Sequence, residues 1–251
     1  MILDCVLTSV NENPLYIINV PFFIKCWKKL YPNVDIKIIL IATSIPIELI
    51  PYTEYIILFE PLKNISTAFI SQYIRLLYPA ILNYTNGVMI TDIDIVPMNR
   101  TYYTDNIKNI DNAKFIYLRH VLLNTGQLAM CYNIASPKTW SDIFNINSLQ
   151  NIKQTLIKRY NSINYKGRGK SGWNTDQTDL YKCVMKWNNY SHNFIHIPDK
   201  NTGFCRLCRS NFKILDKKIK INISNNKYTD YHCHRPFKLH EILNNSIYDL
   251  I

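Results

Sequence analysis

Acidic residues are scarce in this chain: 18 Asp and Glu stand against 29 Lys and Arg, a formal charge of +11 at pH 7. Phosphoryl transferases and nucleases that grip two metal ions usually commit several carboxylates to them, so the shortage weighs against that class. Glycine is rarer still. Of only six glycines, three fall in Asn164-Tyr165-Lys166-Gly167-Arg168-Gly169-Lys170-Ser171-Gly172. The run lacks the spacing of a Walker A loop and reads either as a solvated basic loop or as one that closes over phosphates. No stretch stays apolar for the length a bilayer demands, and the chain opens on strand-like Ile2-Leu3-Asp4-Cys5-Val6-Leu7 rather than on a secretion signal. The seven cysteines are odd in number and have no framework spacing, which suits a reducing compartment. The expectation is a cytoplasmic protein without a membrane anchor.

The positive charge implies an anionic partner, and nucleic acid is the blunt reading. Basic residues are spread along the chain, thicken after residue 150 and match no nucleic-acid motif. Heavy use of Asn, Ile, Lys and Tyr points to an AT-rich microbial or large-virus genome, so part of the lysine excess reflects coding bias. Nucleic acid is therefore not the expected partner.

What is present is a buried-strand pattern running into two acids: Gly87-Val88-Met89-Ile90-Thr91-Asp92-Ile93-Asp94-Ile95-Val96-Pro97. Read as one continuous strand, it points Asp92 and Asp94 to the same face and Ile93 to the other. Paired carboxylates at the end of an apolar run repel each other unless a cation or proton sits between them, and a divalent metal is the simplest cation.

Around this run, β and α patterns alternate. Residues 2–10 form a first strand that ends in Thr8-Ser9-Val10-Asn11, polar groups on the edge where open α/β sheets bind ligands. Tyr16 to Leu30 has helical spacing, Asp35 to Ala42 and Tyr55 to Phe59 read as strands, and residues 67–83 form a helix that contains Arg75. That arginine is either a solvated helix-face residue or a cation that orients the Asp pair or holds a phosphate. Lys114 to Arg119 and Gln127 to Ile134 are further strands, and helices follow from Pro137 and from Leu149 to Tyr160. The pattern predicts an α/β domain with a mixed, mainly parallel sheet flanked by helices.

The order of a Thr-Ser strand end, Tyr73-Ile74-Arg75-Leu76-Leu77-Tyr78-Pro79 and the Asp92-Ile93-Asp94 strand resembles the nucleotide-sugar half of GT-A fold glycosyltransferases. Trp173-Asn174-Thr175-Asp176-Gln177 resembles the Asp-Gln motif of the glycogenin-like group, although Asp176 is equally explained as a first-turn acid that suits the helix dipole. The resemblance implies one catalytic domain over 1–251, with a nucleotide-sugar half (1–100) and an acceptor half (101–251). It implies that Asp92 and Asp94 hold manganese, with magnesium as the alternative, and that Arg75 supports them. Thr8, Ser9 and Asn11 would meet the nucleotide, expected to be uridine diphosphate, while Asp176 and Gln177 would address the reacting sugar. His232 or His234 would complete the metal ligands, since strand alternation in Tyr228 to Pro236 puts both on one face. The His, Gly and Lys-Pro-Trp spacing of the glycogenin-like group is not matched. Asn133 is a candidate for sugar contact or for a plain turn cap.

The implied reaction is transfer of a hexose-like sugar to a glycan, protein or lipid hydroxyl. A metal-dependent phosphoryl transferase and a non-catalytic basic binding module stay as alternatives. Cys205 and Cys208, with His232, Cys233 and His234, have the ligand types of a zinc set but only one Cys-x-x-Cys pair. Arg206 and Arg209 beside them either line an acidic ligand or are surface charge.

Overall fold

The computed structural model describes residues 1–251. The first strand, β1 (Leu3–Asn11), is followed by α1 (Pro14–Ile17), α2 (Val20–Leu30), β2 (Asp35–Ile41), β3 (Ile56–Phe59) and α3 (Thr67–Leu77). Next come β4 (Gly87–Ile90), β5 (Ile95–Pro97), α4 (Tyr102–Asp105), β6 (Phe115–Tyr117), β7 (Asn133–Ala135), α5 (Pro137–Phe144) and α6 (Leu149–Asn161). The chain closes with α7 (Thr175–Ser191), β8 (Phe194–His196), α8 (Asp199–Thr202), β9 (Arg206–Cys208), α9 (Lys217–Ser224), β10 (Asp230–His232) and α10 (Glu241–Leu250).

Seven strands form one sheet in the order β3-β2-β1-β4-β7-β6-β8, and β5-β10-β9 form a smaller one. Strands β3, β2, β1 and β4 are parallel, β7 runs against both of its neighbours, and β8 pairs parallel to β6. The mixed, mainly parallel sheet expected from the sequence is thus present. Because both faces of β1 and β4 are covered, their side chains form near-continuous buried apolar runs. Trp27 of α2 is buried beside the rings of Tyr31 and Tyr103, and Trp140 of α5 is buried with its indole N–H donating to the Val88 carbonyl at 3.2 Å. At the start of β4, a Cβ on Gly87 would stand 2.9 Å from Met1 Sδ and 3.0 Å from the Ile2 carbonyl oxygen, so only glycine fits this approach of β4 to β1.

Winding reverses between β1 and β4: β2 and β3 lie on one side of β1, and the rest of the sheet lies on the other. A crevice at the carboxyl ends of β1 and β4 follows from that reversal.

Several local expectations change. The helix from Tyr16 divides into α1 and α2 around Ile18-Asn19, because Pro14 and Pro21 each occupy a first turn, where a missing N–H costs nothing. The helix over 67–83 stops at Leu77, since Pro79 has no N–H with which to continue the helical hydrogen-bond ladder, and a 3-10 turn takes over. The strand from Gln127 shrinks to Asn133–Ala135, because Tyr132 has a left-handed backbone (φ 69°) that no strand accommodates.

The continuous strand over 87–97 is the main correction. Ile90 ends β4 in the large sheet and Ile95 begins β5 in the small one. Asp92 and Asp94 occupy the turn between them, closed by the Ile95 N–H to the Asp92 carbonyl at 3.2 Å. Strand alternation does not set their direction; the change of sheet does.

Candidate active site

A cavity of about 400 Å³ opens at the carboxyl ends of β1 and β4. Its walls include Ser9 and Asn11 from β1, Arg75 from α3, Asp92 and Asp94 from the turn, Asp176 and Gln177 from the first turn of α7, and His232 from β10. Residues far apart in sequence meet here because two sheets and two helix ends converge on the turn that carries the acids.

Arg75 is almost wholly buried and bridges two of the acids. Its Nη1 donates to Asp92 Oδ1 at 2.5 Å and to the Thr91 carbonyl at 3.0 Å, while Nη2 lies 3.6 Å from Asp176 Oδ2. A buried guanidinium needs such partners, and its planar fork holds both carboxylates at fixed orientation. Asp176 nevertheless keeps its proton unusually well. Burial, opposed by the Arg75 charge and reinforced by Asp92, pushes its carboxyl up to about 7.

Asp94 has the opposite environment. Its Oδ2 accepts from Arg209 Nη1 at 3.0 Å, lies 3.4 Å from Arg235 Nη1 and stands 3.2 Å from His232 Nε2. Burial alone would raise this carboxyl, but the hydrogen bond from His232 and the charges of Arg235 and Arg209 hold it well below the usual carboxylate range. On its other side the His232 ring meets Cys208, whose Sγ is 3.8 Å from Nδ1 and accepts a bond from the Ser210 hydroxyl at 3.1 Å. Burial is the largest single influence and would raise the Cys208 thiol, but the bonds from Ser210 and His232 together outweigh it and bring the thiol down to about 7.

No three His, Cys, Asp or Glu side chains converge tightly enough to form a closed metal shell. The cavity offers a half-shell instead. Two adjacent ligands of an octahedral ion at about 2.1 Å stand about 3 Å apart, which matches the 3.2 Å between Asp94 Oδ2 and His232 Nε2. Asp94 Oδ1 and Asp92 Oδ2 accept no hydrogen bond from protein and remain available as oxygen donors. Carboxylate oxygens with one imidazole suit manganese or magnesium, with substrate oxygens filling the open positions. The donor set of these residues therefore fits a divalent ion.

Other sequence candidates are placed elsewhere. Thr8 is buried with its hydroxyl unpartnered and does not line the cavity, since it faces away from Ser9. The Ser9 hydroxyl donates to the Ser71 carbonyl, and Asn11 Nδ2 to Thr67 Oγ1 at 3.1 Å, so both tie β1 to α3 as they line the wall. Asn133 is fully buried and donates to the Ala129 carbonyl at 2.7 Å, closing its own loop.

His234 is the clearest departure. Strand β10 ends at His232, so alternation does not extend to His234. Its Nδ1 pairs with the Tyr231 hydroxyl at 2.7 Å and its Nε2 with the Phe212 carbonyl at 3.0 Å, leaving no nitrogen for a metal. The zinc grouping is not assembled either, since Cys233 is fully buried and His234 is turned inward.

The cavity holds further residues, most of them without a role read from the sequence. Asn13, Tyr16, Gln72 and Trp173 line the cavity, with Arg168 from the glycine-rich loop and Arg209 and Arg235 opposite. Arg235 also lies 5.2 Å from the centre of the Tyr16 ring. Local signals existed for Arg168, in the basic loop, and for Arg209, in the arginine pair beside Cys205 and Cys208.

No protein-family model matches the sequence, and no curated protein matches it. Solved structures do match in fold. The galactosyltransferase LgtC in complex with donor and acceptor sugar analogs is 11% identical, with 98% of this chain and 95% of that chain covered at a TM-score of 0.50. An active-site mutant of LgtC superposes equally, with 11% identity, 98% and 94% coverage and a TM-score of 0.50. A glycosyltransferase involved in glycosylation of the PBCV-1 major capsid covers 99% of this chain and 100% of its own at 9% identity, but its TM-score of 0.45 is too low to argue from. At such identities the likeness is one of architecture, and on it this chain has the GT-A fold.

Proposed function

We propose that this protein is a metal-dependent glycosyltransferase that moves a sugar from a nucleoside diphosphate sugar, with uridine diphosphate as the expected carrier, to a hydroxyl acceptor. The observation that carries the reading is the convergence of Asp92, Asp94, His232 and Asp176 on one cavity at the reversal point of the sheet. Asp92, Asp94 and His232 are the groups to hold manganese or magnesium. When bound, the metal neutralises the charge that develops on the diphosphate leaving group.

The chain's own residues do the rest. Arg75 fixes the Asp92 carboxylate and faces Asp176, so the donor side and the sugar side of the cavity share one rigid support. Arg209 and Arg235 already compensate Asp94 and stand ready for phosphate oxygens. Asp176 and Gln177 face the sugar from the start of α7. With its carboxyl near 7, Asp176 can exchange a proton with a sugar or acceptor hydroxyl close to neutral pH. Hexose transfer and the class of acceptor belong to the same proposal.

Thermal unfolding with a panel of nucleoside diphosphates, with and without manganese, tests it without knowledge of the acceptor. At a hundredfold excess over Kd, binding adds about 2.7 kcal/mol, or a rise of roughly 5–10 °C for a chain of this size. The rise should require manganese, favour uridine diphosphate and vanish in Asp94→Ala. A folded protein that responds to no nucleotide would sink the reading.

A further inference from the structure

We propose that the face formed by Lys213, Ile214, Lys220, Lys238, Leu239 and Ile242 docks this protein on an anionic phospholipid bilayer. These side chains line one shallow depression of about 420 Å³, made by the segment leading into and through α9 and by the start of α10. Ile214, Leu239 and Ile242 are 74%, 78% and 86% exposed, among the most exposed large apolar side chains of the chain. A single exposed isoleucine needs no explanation, but three on one face with lysines around them do.

The chemistry selects the partner. Apolar tips ringed by lysine ammonium groups match the boundary between acyl chains and anionic headgroups, where the tips bury and the ammonium groups stay at the phosphates. Each lysine near an anionic leaflet contributes roughly fivefold in partitioning. Acidic opposition is slight: Asp216 is occupied as the N-cap of α9, accepting the Ile219 N–H at 2.7 Å, and Glu241 is the one acid in the depression. A second copy of a chain with charge +11 meets like charge here. Nucleic acid would use the lysines and leave the isoleucines in water. No helix is long and apolar enough to cross a membrane, so the contact is interfacial. Along the chain, Lys238 lies three residues beyond Arg235 of the cavity.

Sedimentation of the full chain with sucrose-loaded vesicles tests the proposal independently of any transferase activity. Vesicles containing phosphatidylglycerol should bind at least about tenfold more tightly than phosphatidylcholine alone, and salt should weaken the binding. Two triple variants separate the contributions: Ile214→Ser with Leu239→Ser and Ile242→Ser, and Lys213→Gln with Lys220→Gln and Lys238→Gln. Each should lose about tenfold or more in binding while melting as the native chain does, because the changed side chains are exposed. Failure to sediment with anionic vesicles, or equal binding by native and variant proteins, overturns the proposal. So does a dimer in analytical ultracentrifugation that the serine variant abolishes in the absence of vesicle binding, which would assign the face to a second copy.

Discussion

Two cross-strand pairs stand side by side in the small sheet. Strand β10 registers Asp230 against Arg206 and, two residues on, His232 against Cys208. In the first pair the Arg206 fork closes on Asp230 with Nη2 to Oδ2 at 2.6 Å and Nε to Oδ1 at 2.8 Å, the Tyr132 hydroxyl adds a third donor, and the carboxylate is completely buried. In the second, His232 turns one nitrogen to Cys208 and the other to Asp94 on the cavity wall, where carboxylate oxygens remain without protein donors. Similar residue types thus do different work. A buried acid whose acceptors are all filled braces the fold, and one with open acceptors facing a cavity can bind.

The largest expected effect breaks that contrast on the structural side. Asp230→Ala strands a guanidinium and a tyrosine hydroxyl that are largely buried, and should cost about 3–5 kcal/mol, lowering the melting temperature by roughly 10 °C or more. Asp94→Ala leaves each of its three partners with another contact, Arg209 on the Cys233 carbonyl, Arg235 on the Tyr16 ring and His232 on Cys208, and should cost less, about 1–3 kcal/mol, while abolishing the nucleotide-dependent rise. Equal destabilisation by the two substitutions would erase the distinction between the pairs.

A second, smaller effect concerns pH. Because the Asp176 carboxyl sits near 7 in the folded chain and near 4 when unfolded, the folded state holds an extra proton between those values. Stability should therefore decline as pH rises through that window. Asp176→Asn removes the proton and should flatten the decline, as read from melting temperatures at pH 5, 6 and about 8. An unchanged slope would mean that Asp176 ionises like an exposed acid.

The smallest effect sharpens the comparison through two cysteines flanking the same histidine. The Cys208 thiol, near 7 and half-exposed, should react with iodoacetamide at neutral pH. Burial raises the Cys233 thiol far above its ordinary value, so it should stay unmodified until unfolding. Peptide mapping after a short exposure distinguishes them, and bound nucleotide with manganese should slow modification of Cys208, because His232 lies between the thiol and the cavity.

Much of the architecture was legible because short-range rules carry it. Apolar runs in β1 and β4 require a doubly covered sheet, and an acid beside Gln177 in a helix's first turn marks an N-terminus, whereas helical spacing alone ran past the breaks at Pro21 and Pro79. Alternation was overextended at two places, 87–97 and 228–236. A strand's period says nothing of where it stops, and each of these segments leaves its sheet within a few residues.

By itself, then, the sequence determined the α/β order, the mainly parallel sheet and a set of acids, Asp92, Asp94 and Asp176, at the ends of elements that meet at a ligand-binding edge. Only the tertiary structure decided that His232 rather than His234 faces Asp94, across 138 residues, and that Arg209 and Arg235 surround the same oxygen. The physical reason is range. Local propensity and periodicity act over a turn or a strand, whereas a binding site is assembled by long-range pairing whose partners leave no mark on each other's neighbouring sequence.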